Sequence, residues 1–147
     1  MNCIYGSKNQ MTIVAYIEWP DGLDVKNDVW QIIKYQVKAA KADVLVTNEM
    51  PFGSWRPVGK DFDKEQAQAW VDEHDNALES LSELNVPAIV TSRPRMVGEK
   101  LVNEAFMLEG GNYKTMHQKK HNPFVSQKSA ERLRGHLSQK QQVVLIR

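Results

Sequence analysis

Apolar residues fall into two kinds of block along the chain, continuous runs and runs with a helical spacing. The run TIVAYIEW, Thr12 to Trp19, is β-branched and aromatic and predicts a strand. A helix with Asp24 as its N-cap is predicted next, because apolar positions then recur at steps of three and four residues. Those positions are Val25, Val29, Ile32, Ile33, Val37 and Ala40. The segment DVLVTN, from Asp43, returns to a strand, so about 35 residues form a βαβ unit with parallel strands.

The pattern then predicts a second helix, a third strand and a hairpin. Asp63 to Leu84 has helical spacing, and Asp63 with Gln66 resembles a capping box. The apolar face of this helix comprises Trp70, His74, Ala77, Leu78 and Leu81. AIVTS, from Ala88, predicts the third strand, and RPRMVGEK predicts a connector. GGN joins the strand-like segments LVNEAFMLE and YKTMHQK into a β-hairpin, and the whole order predicts an α/β layered fold.

The residues after Phe124 have a different composition. They include no Phe, Tyr or Trp. They hold five basic residues and one acidic residue, whereas residues 1–124 hold 14 basic and 17 acidic residues. Ser126 to Gln139 is predicted as an exposed helix, and QVVLIR as a short strand. We therefore expect an N-terminal extension (1–10), one domain (11–124) and a basic tail (125–147). The tail lacks the interleaved aromatic residues that stack on bases, so a nucleic-acid partner is not expected.

The overall composition is that of a globular protein in water. Apolar residues make up 41% of the chain and charged residues 25%, with a net charge of +1. No apolar run approaches the ~18 residues that a membrane span needs, and MNCIYGSKNQM contains no apolar signal-peptide core. The single cysteine, Cys3, can form no internal disulfide, which fits a reducing compartment. A cytoplasmic protein with no membrane partner is predicted.

Glu49 is the first candidate for chemistry. It follows the second predicted strand, and ligands of parallel sheets bind beyond the carboxyl ends of the strands. The neighbouring Met50, Pro51, Phe52 and Trp55 are expected to desolvate its carboxylate, which suits general-base work near neutral pH. The alternative interpretation is that Glu49 caps a loop or pairs with Arg56 or a lysine.

The second candidate is the basic end of the predicted hairpin, HQKKHNPF. Two lysines, Lys119 and Lys120, follow a β-run directly. A lysine held at a strand end can donate a hydrogen bond to a developing oxyanion. The alternative interpretation is a solvated basic turn. His117 and His121 would lie ~13 Å apart on a strand, so no metal site and no cofactor are predicted.

These two segments resemble the motifs of the nitrilase superfamily of carbon–nitrogen hydrolases. VLVTNEMPFGSW is similar to the family's strand, catalytic Glu and apolar segment, with Asn48 where Pro is usual. LVNEAFMLEGGNYKTMHQKKHNPF is similar to its Asn-containing strand, Gly turn, and strand with a terminal Lys, including Asn103. A Pro often stands four residues after the catalytic Lys, and Pro123 therefore aligns Lys119 with that role. The resemblance covers roughly Thr12 to Phe124.

The resemblance implies a fold, an activity and three site residues. The fold would be one half of an αββα sandwich, and the activity would be hydrolysis of non-peptide C–N bonds in a small amide or nitrile. Glu49 would serve as the base and Lys119 as the oxyanion donor, with Trp55 lining the pocket. A thiolate would be the nucleophile.

The chain departs from the family pattern at the nucleophile. No cysteine follows Lys119, and Cys3 precedes the first strand. No motif supports Ser126 or Ser129 as a substitute. A full family domain is about twice as long, so we expect a truncated member with an exposed apolar sheet face, which predicts self-association or a partner. Two functions follow, an inactive carbon–nitrogen hydrolase, and a non-catalytic protein that associates with a nitrilase-like homologue.

Overall fold

The computed structural model describes residues 11–20, 22–52, 63–120 and 141–146. Within them, strands and helices follow the βαβαβ order that the sequence predicts. The elements are β1 (Thr12–Ile17), α1 (Asp28–Ala40), β2 (Val44–Thr47), α2 (Lys64–Leu78), a 3-10 helix (Glu79–Leu84), β3 (Ala88–Val97), β4 (Lys100–Glu109), β5 (Asn112–Lys120) and β6 (Gln141–Ile146). No helix of these residues is long and apolar enough to cross a membrane.

The strands form one mixed sheet in the order β5-β4-β3-β2-β1-β6. β1, β2 and β3 run parallel, as the two βαβ units require, and β4 and β5 add an antiparallel hairpin at one end. The short strand predicted for QVVLIR is confirmed, because β6 pairs in parallel with β1 from Thr12↔Gln141 to Ile17↔Ile146. The α/β prediction is therefore confirmed. The helix predicted for Ser126 to Gln139 lies outside the described residues.

Both helices pack on the same face of the sheet. The main core joins the sheet residues Ala15, Leu45 and Ile89, which are register partners, to residues of both helices. The helical members of this core are Trp30, Ile33, Val37, Ala77, Leu78, Leu81 and Leu84. One shared face is what right-handed crossovers produce when β1, β2 and β3 follow one another in a single direction.

The opposite face of the sheet, which we call the open face, is also apolar. Its strand residues alternate with the core residues. On β1, β2 and β4 most of them are only half-buried, whereas Ala88, Ser92 and Pro94 on β3 are buried. Neither helix covers this face in the part of the chain that is described. Its apolar residues include Val14, Tyr16, Val44, Val46, Val90 and Met107.

The prediction that Asp24 caps the first helix is wrong. The N-cap is Asn27, whose side chain accepts a hydrogen bond from Trp30 N, whereas Asp24 closes a turn by accepting from Lys26 N at 2.9 Å. The predicted apolar stripe is wrong in part as well. Ile32 is 56% exposed, because Trp30, which packs against Trp19 with ring centroids 5.6 Å apart, sets which side of α1 faces the core.

The second helix follows its prediction closely. The Asp63 side chain accepts hydrogen bonds from Glu65 N and Gln66 N, which confirms its half of the predicted capping box. The Gln66 side chain bonds the Asp63 carboxylate at 3.0 Å instead of the Asp63 backbone N–H. The predicted apolar face is buried throughout, including Leu81 in the final 3-10 segment.

RPRMVGEK is not a connector, which is a further correction. β3 continues through it to Val97, turns at Gly98 and pairs with β4 over its whole length, from Ala88↔Glu109 to Val97↔Lys100. Gly98 has φ +61°, a value that the two-residue turn demands and that glycine adopts readily. Arg93 pairs with Asp75 on α2, and both arginines of this segment pair with one buried acid.

That acid is Glu104 on β4, whose side chain is only 1% exposed. Its carboxylate accepts hydrogen bonds from Arg93 Nε at 3.0 Å and Arg95 NH1 at 2.8 Å, on β3. From β5 it accepts hydrogen bonds from Gln118 Nε2 at 2.9 Å and Thr115 Oγ1 at 3.2 Å. Burial raises the pKa of this carboxyl, but the bonds from Gln118, Arg93 and Arg95 outweigh burial and hold the pKa at about 2.

The depressed pKa of Glu104 predicts a loss of stability in acid. An ordinary Glu in the unfolded chain has a pKa near 4.5, so the stabilisation is complete above pH 4.5 and is lost as the pH falls towards 2. The difference corresponds to about 3 kcal/mol. In urea unfolding, we expect the contribution of Glu104 to the free energy of unfolding to be smaller by this amount at pH 2 than at pH 5. Glu104→Gln should lack this part of the pH dependence, and exposed Glu109→Gln should retain it. Equal pH dependence in Glu104→Gln and the parent would contradict the assignment.

Candidate active site at the carboxyl end of β2

The segment after β2 is held by side-chain bonds to Trp19, which follows β1, and to Ser92 on β3. Asn48 Oδ1 accepts a hydrogen bond from Trp19 N at 3.0 Å, and Asn48 Nδ2 donates to Trp19 O at 3.3 Å. A proline at this position could make neither bond, which explains in physical terms how the chain accommodates Asn48. On the other side, Met50 N donates to Ser92 Oγ at 2.9 Å. Glu49 therefore stands between two anchored residues.

Met50 adopts a backbone conformation that non-glycine residues rarely take. Its φ is +44°, in the left-handed region, which costs on the order of 1–3 kcal/mol and persists only where the surroundings impose it. The surroundings here are the Ser92 bond and the burial of the Met50 side chain. Strained residues of this kind concentrate at functional sites. At this bend the Met50 side chain is buried and the Glu49 side chain is exposed.

The expectation that its apolar neighbours desolvate Glu49 is wrong. Glu49 is exposed, whereas Met50, Pro51 and Phe52 are buried. Phe52 packs into the core, with ring-centroid distances of 5.4 Å to Trp19 and 6.2 Å to Trp30. The apolar segment therefore anchors the bend and does not shield the carboxylate. Trp55, the predicted pocket residue, lies outside the described residues.

A buried histidine supports the bend from below. His74 on α2 is fully buried, its Nδ1 lies 3.0 Å from Trp70 O, and its ring contacts Phe52 at a centroid distance of 6.4 Å. Burial lowers the pKa of His74, and the carbonyl groups of Trp70 and Met50 oppose the shift only in part. The neutral ring therefore acts as a packing element beneath Met50 and Phe52.

The contact that defines the site joins Glu49 to Asn103. The Asn103 Nδ2 group donates a hydrogen bond to Glu49 Oε1 across 54 positions of sequence. From the sequence, Asn103 is named only as the asparagine of the second motif, and no role is assigned to it. The available signal was its alternation with Glu104, which places Asn103 on the opposite face of β4 from the buried acid.

Lys119 lies opposite Asn103 on β5, so the two side chains leave the same face of the sheet. A β-bulge produces this arrangement. His117 pairs with Ala105 and Thr115 with Phe106, which leaves Met116 as an extra residue and moves the following side chains to the other face. The backbone of Lys120 pairs with Val102 instead. The register thus brings Lys119, and not Lys120, opposite the asparagine that contacts Glu49.

The assembled group offers a carboxylate, an amide and an ammonium at one edge of the sheet. A carboxylate can accept a proton, and an ammonium or amide can donate to a developing oxyanion. No nucleophilic thiol belongs to the described residues, because the single cysteine, Cys3, lies outside them. Ser126, Ser129 and His121 also lie outside. Across the described ranges, no group of three His, Cys, Asp or Glu could hold a metal ion.

A separate cleft of about 300 Å³ lies at the opposite end of the strands. Lys34, Lys38 and Lys41 line one side of it and Asn85 the other, over a floor that includes Val37. These residues precede β2 and β3, whereas Glu49 follows β2. The cleft therefore takes no part in the Glu49 site.

Comparisons with known proteins add a limited likeness. No family model matches the sequence, and no curated protein matches it. Among solved structures, the chain is similar to an amidase from Nesterenkonia sp., with 17% identity, a TM-score of 0.48, and coverage of 75% of this chain and 42% of that one. The chain is also similar to the NitN amidase from Neterenkonia sp. AN1, with 18% identity and a TM-score of 0.48. That match covers 76% of this chain and 44% of the amidase. The chain thus matches less than half the length of either amidase, and this likeness establishes neither family nor activity.

Proposed function

We propose that the chain carries the base and the oxyanion donor of a carbon–nitrogen hydrolase centre that acts on a small amide or nitrile. One observation carries the proposal. Glu49 and Lys119, 70 positions apart in sequence, are both brought to Asn103, Glu49 by a hydrogen bond and Lys119 by strand register. These are the two residues that the motif resemblance selects.

Each residue has a defined task in this chemistry. Glu49, exposed at the end of β2, takes the proton of an attacking thiol and later activates water. Lys119 donates a hydrogen bond to the oxygen on which negative charge develops, and such a donor is typically worth about 3 kcal/mol in the transition state. The C–N bond breaks as the nitrogen leaves as ammonia, and water then hydrolyses the thioester.

The chain alone is expected to hydrolyse amides at a negligible rate. The described residues supply no thiol, and loss of a nucleophile typically costs about 10⁶ in kcat. A small thiol added to the solution can take the place of the nucleophile. Its sulfur forms a bond to the amide carbon, the C–N bond breaks, and ammonia and a thioester are the products.

We therefore predict that ammonia release from propionamide requires added 2-mercaptoethanol. Glu49→Gln and Lys119→Met should each lower the thiol-dependent rate, by about 10²-fold or more, because each removes a group that acts on the transition state. Lys114→Met is the matched control, since Lys114 lies on the same strand but pairs with Met107, away from Asn103. The assay is ammonia release at a series of thiol concentrations.

Two outcomes would contradict parts of the proposal. Thiol-dependent release that is absent, or that is as fast in Glu49→Gln and Lys119→Met as in the parent chain, would exclude the assigned roles. Release without any thiol that disappears in both variants would support those roles and refute the expected inactivity. Propionitrile, run in parallel, distinguishes an amide site from a nitrile site.

A second candidate function is association through the open face. The register row Tyr16, Val46, Val90 and Met107 crosses four strands, and all four residues are only half-buried although they are apolar. Apolar patches of this kind mark protein–protein contact sites. We propose that this face mediates self-association or binding to a nitrilase-like homologue.

Sedimentation equilibrium tests the association. We expect the parent chain to self-associate in a concentration-dependent way and Val46→Lys to shift it towards the monomer, because the variant places a charge in the patch. Val29→Lys is the control, since Val29 is exposed on the helical side. A parent chain that is monomeric alone and fails to bind a homologue in size-exclusion chromatography would contradict this function.

A further inference from the structure

We propose that Asn103 is a positioning residue of the site, which holds the Glu49 carboxylate in place and keeps Lys119 from closing onto it. The inference rests on the proposed function, because it concerns how the same base and oxyanion donor are kept available. The juxtaposition that carries it is an amide lying between a carboxylate and the strand partner that bears an ammonium.

The first step concerns the orientation of Glu49. An exposed glutamate at a bend has several rotamers of similar energy, so its carboxylate has no fixed direction of its own. Among the described residues, the Glu49 carboxylate accepts a side-chain hydrogen bond from Asn103 Nδ2. This bond fixes one carboxylate oxygen, Oε1, and leaves Oε2 for a proton. Asn103 lies on β4, which is paired with β3 on one side and β5 on the other, so its backbone is held rigidly.

The second step concerns Lys119. Residues directly opposite on antiparallel strands have Cβ atoms about 5 Å apart, so a lysine at 119 reaches past Asn103 to the acid that Asn103 contacts. The ion pairs formed within the described residues nevertheless include none between Lys119 and Glu49. A direct pair would occupy both groups, leaving no free base and no free oxyanion donor. Instead, the residue opposite Lys119 meets the acid, through the donor group of its amide.

The third step concerns the cost of keeping an asparagine there. Asn103 Oδ1 is buried and accepts no hydrogen bond from the described residues, which is unfavourable. The neighbours of Asn103 on the same face of β4 are the apolar residues Leu101, Ala105 and Met107. Asparagine is also disfavoured in strands compared with valine. A residue chosen only for packing would be apolar, so this amide is retained at the expense of stability.

The decisive variant is Asn103→Val, and the control is Asn112→Val, the same substitution at the far end of the β4–β5 hairpin. A positioning role predicts that Asn103→Val unfolds at the same urea concentration as the parent or higher. In its crystal structure, Lys119 Nζ should lie within 4 Å of a Glu49 carboxylate oxygen, as a direct pair. Thiol-dependent ammonia release should fall at least 10-fold in kcat with little change in KM, because substrate contacts remain. Asn112→Val should leave the Glu49–Asn103 contact and the kinetics unchanged.

Three results would overturn the proposal. The first is a large loss of stability in Asn103→Val, which would make the role structural. The second is a crystal structure of this variant in which Glu49 and Lys119 stay apart. The third is a kcat of this variant equal to that of the parent chain. The structural and kinetic arms separate this inference from the function beneath it. If the parent chain releases no ammonia even with thiol, the proposed function fails, and the geometry in Asn103→Val still decides whether the amide keeps the two charges apart.

Discussion

A buried carboxylate tied to two flanking strands sets the geometry on which the candidate site depends. Glu104 on β4 is bonded to Arg93 and Arg95 on β3 and to Thr115 and Gln118 on β5. A charge removed from water this completely is tolerated only with its partners in place. The acid therefore fixes the register of three strands. It requires Thr115 and Gln118 on the same side of β5, three positions apart, and only an extra residue between them allows that.

Met116 is that extra residue, and it forms the β-bulge. The same bulge determines which β5 side chains lie on the opposite face, where the candidate site is. Side chains alternate along a strand, so one inserted residue exchanges the faces of everything beyond it. Gln118 turns towards Glu104, and Lys119 takes the register position opposite Asn103. The Glu49 bend is held independently, by the bonds of Asn48 to Trp19 and of Met50 to Ser92 on β3, at the expense of a left-handed Met50. Two separate constraints thus converge on Asn103.

The sequence predicted most of the fold, because strongly periodic segments and caps carry their own signal. The parallel strands, the Asp63 N-cap of α2, the GGN hairpin and the short strand β6 all follow from local patterns. It failed where tertiary contacts decide. Trp30 sets the orientation of α1 through its contact with Trp19, and the extension of β3 depends on the bonds of its arginines to Glu104 on β4. The exposure of Glu49 was mispredicted for the same reason, since Phe52 finds its partners in the core.

The claim that Glu49, Asn103 and Lys119 form one substrate site is tested most directly by titrating the isotope-labelled chain with propionamide and following side-chain and backbone NMR resonances. We expect saturable shifts at these three residues and their strand neighbours, including the Asn103 side-chain amide. Saturable shifts confined to the separate cleft near Lys38 and Asn85, or no saturable shifts at all, would contradict the claim.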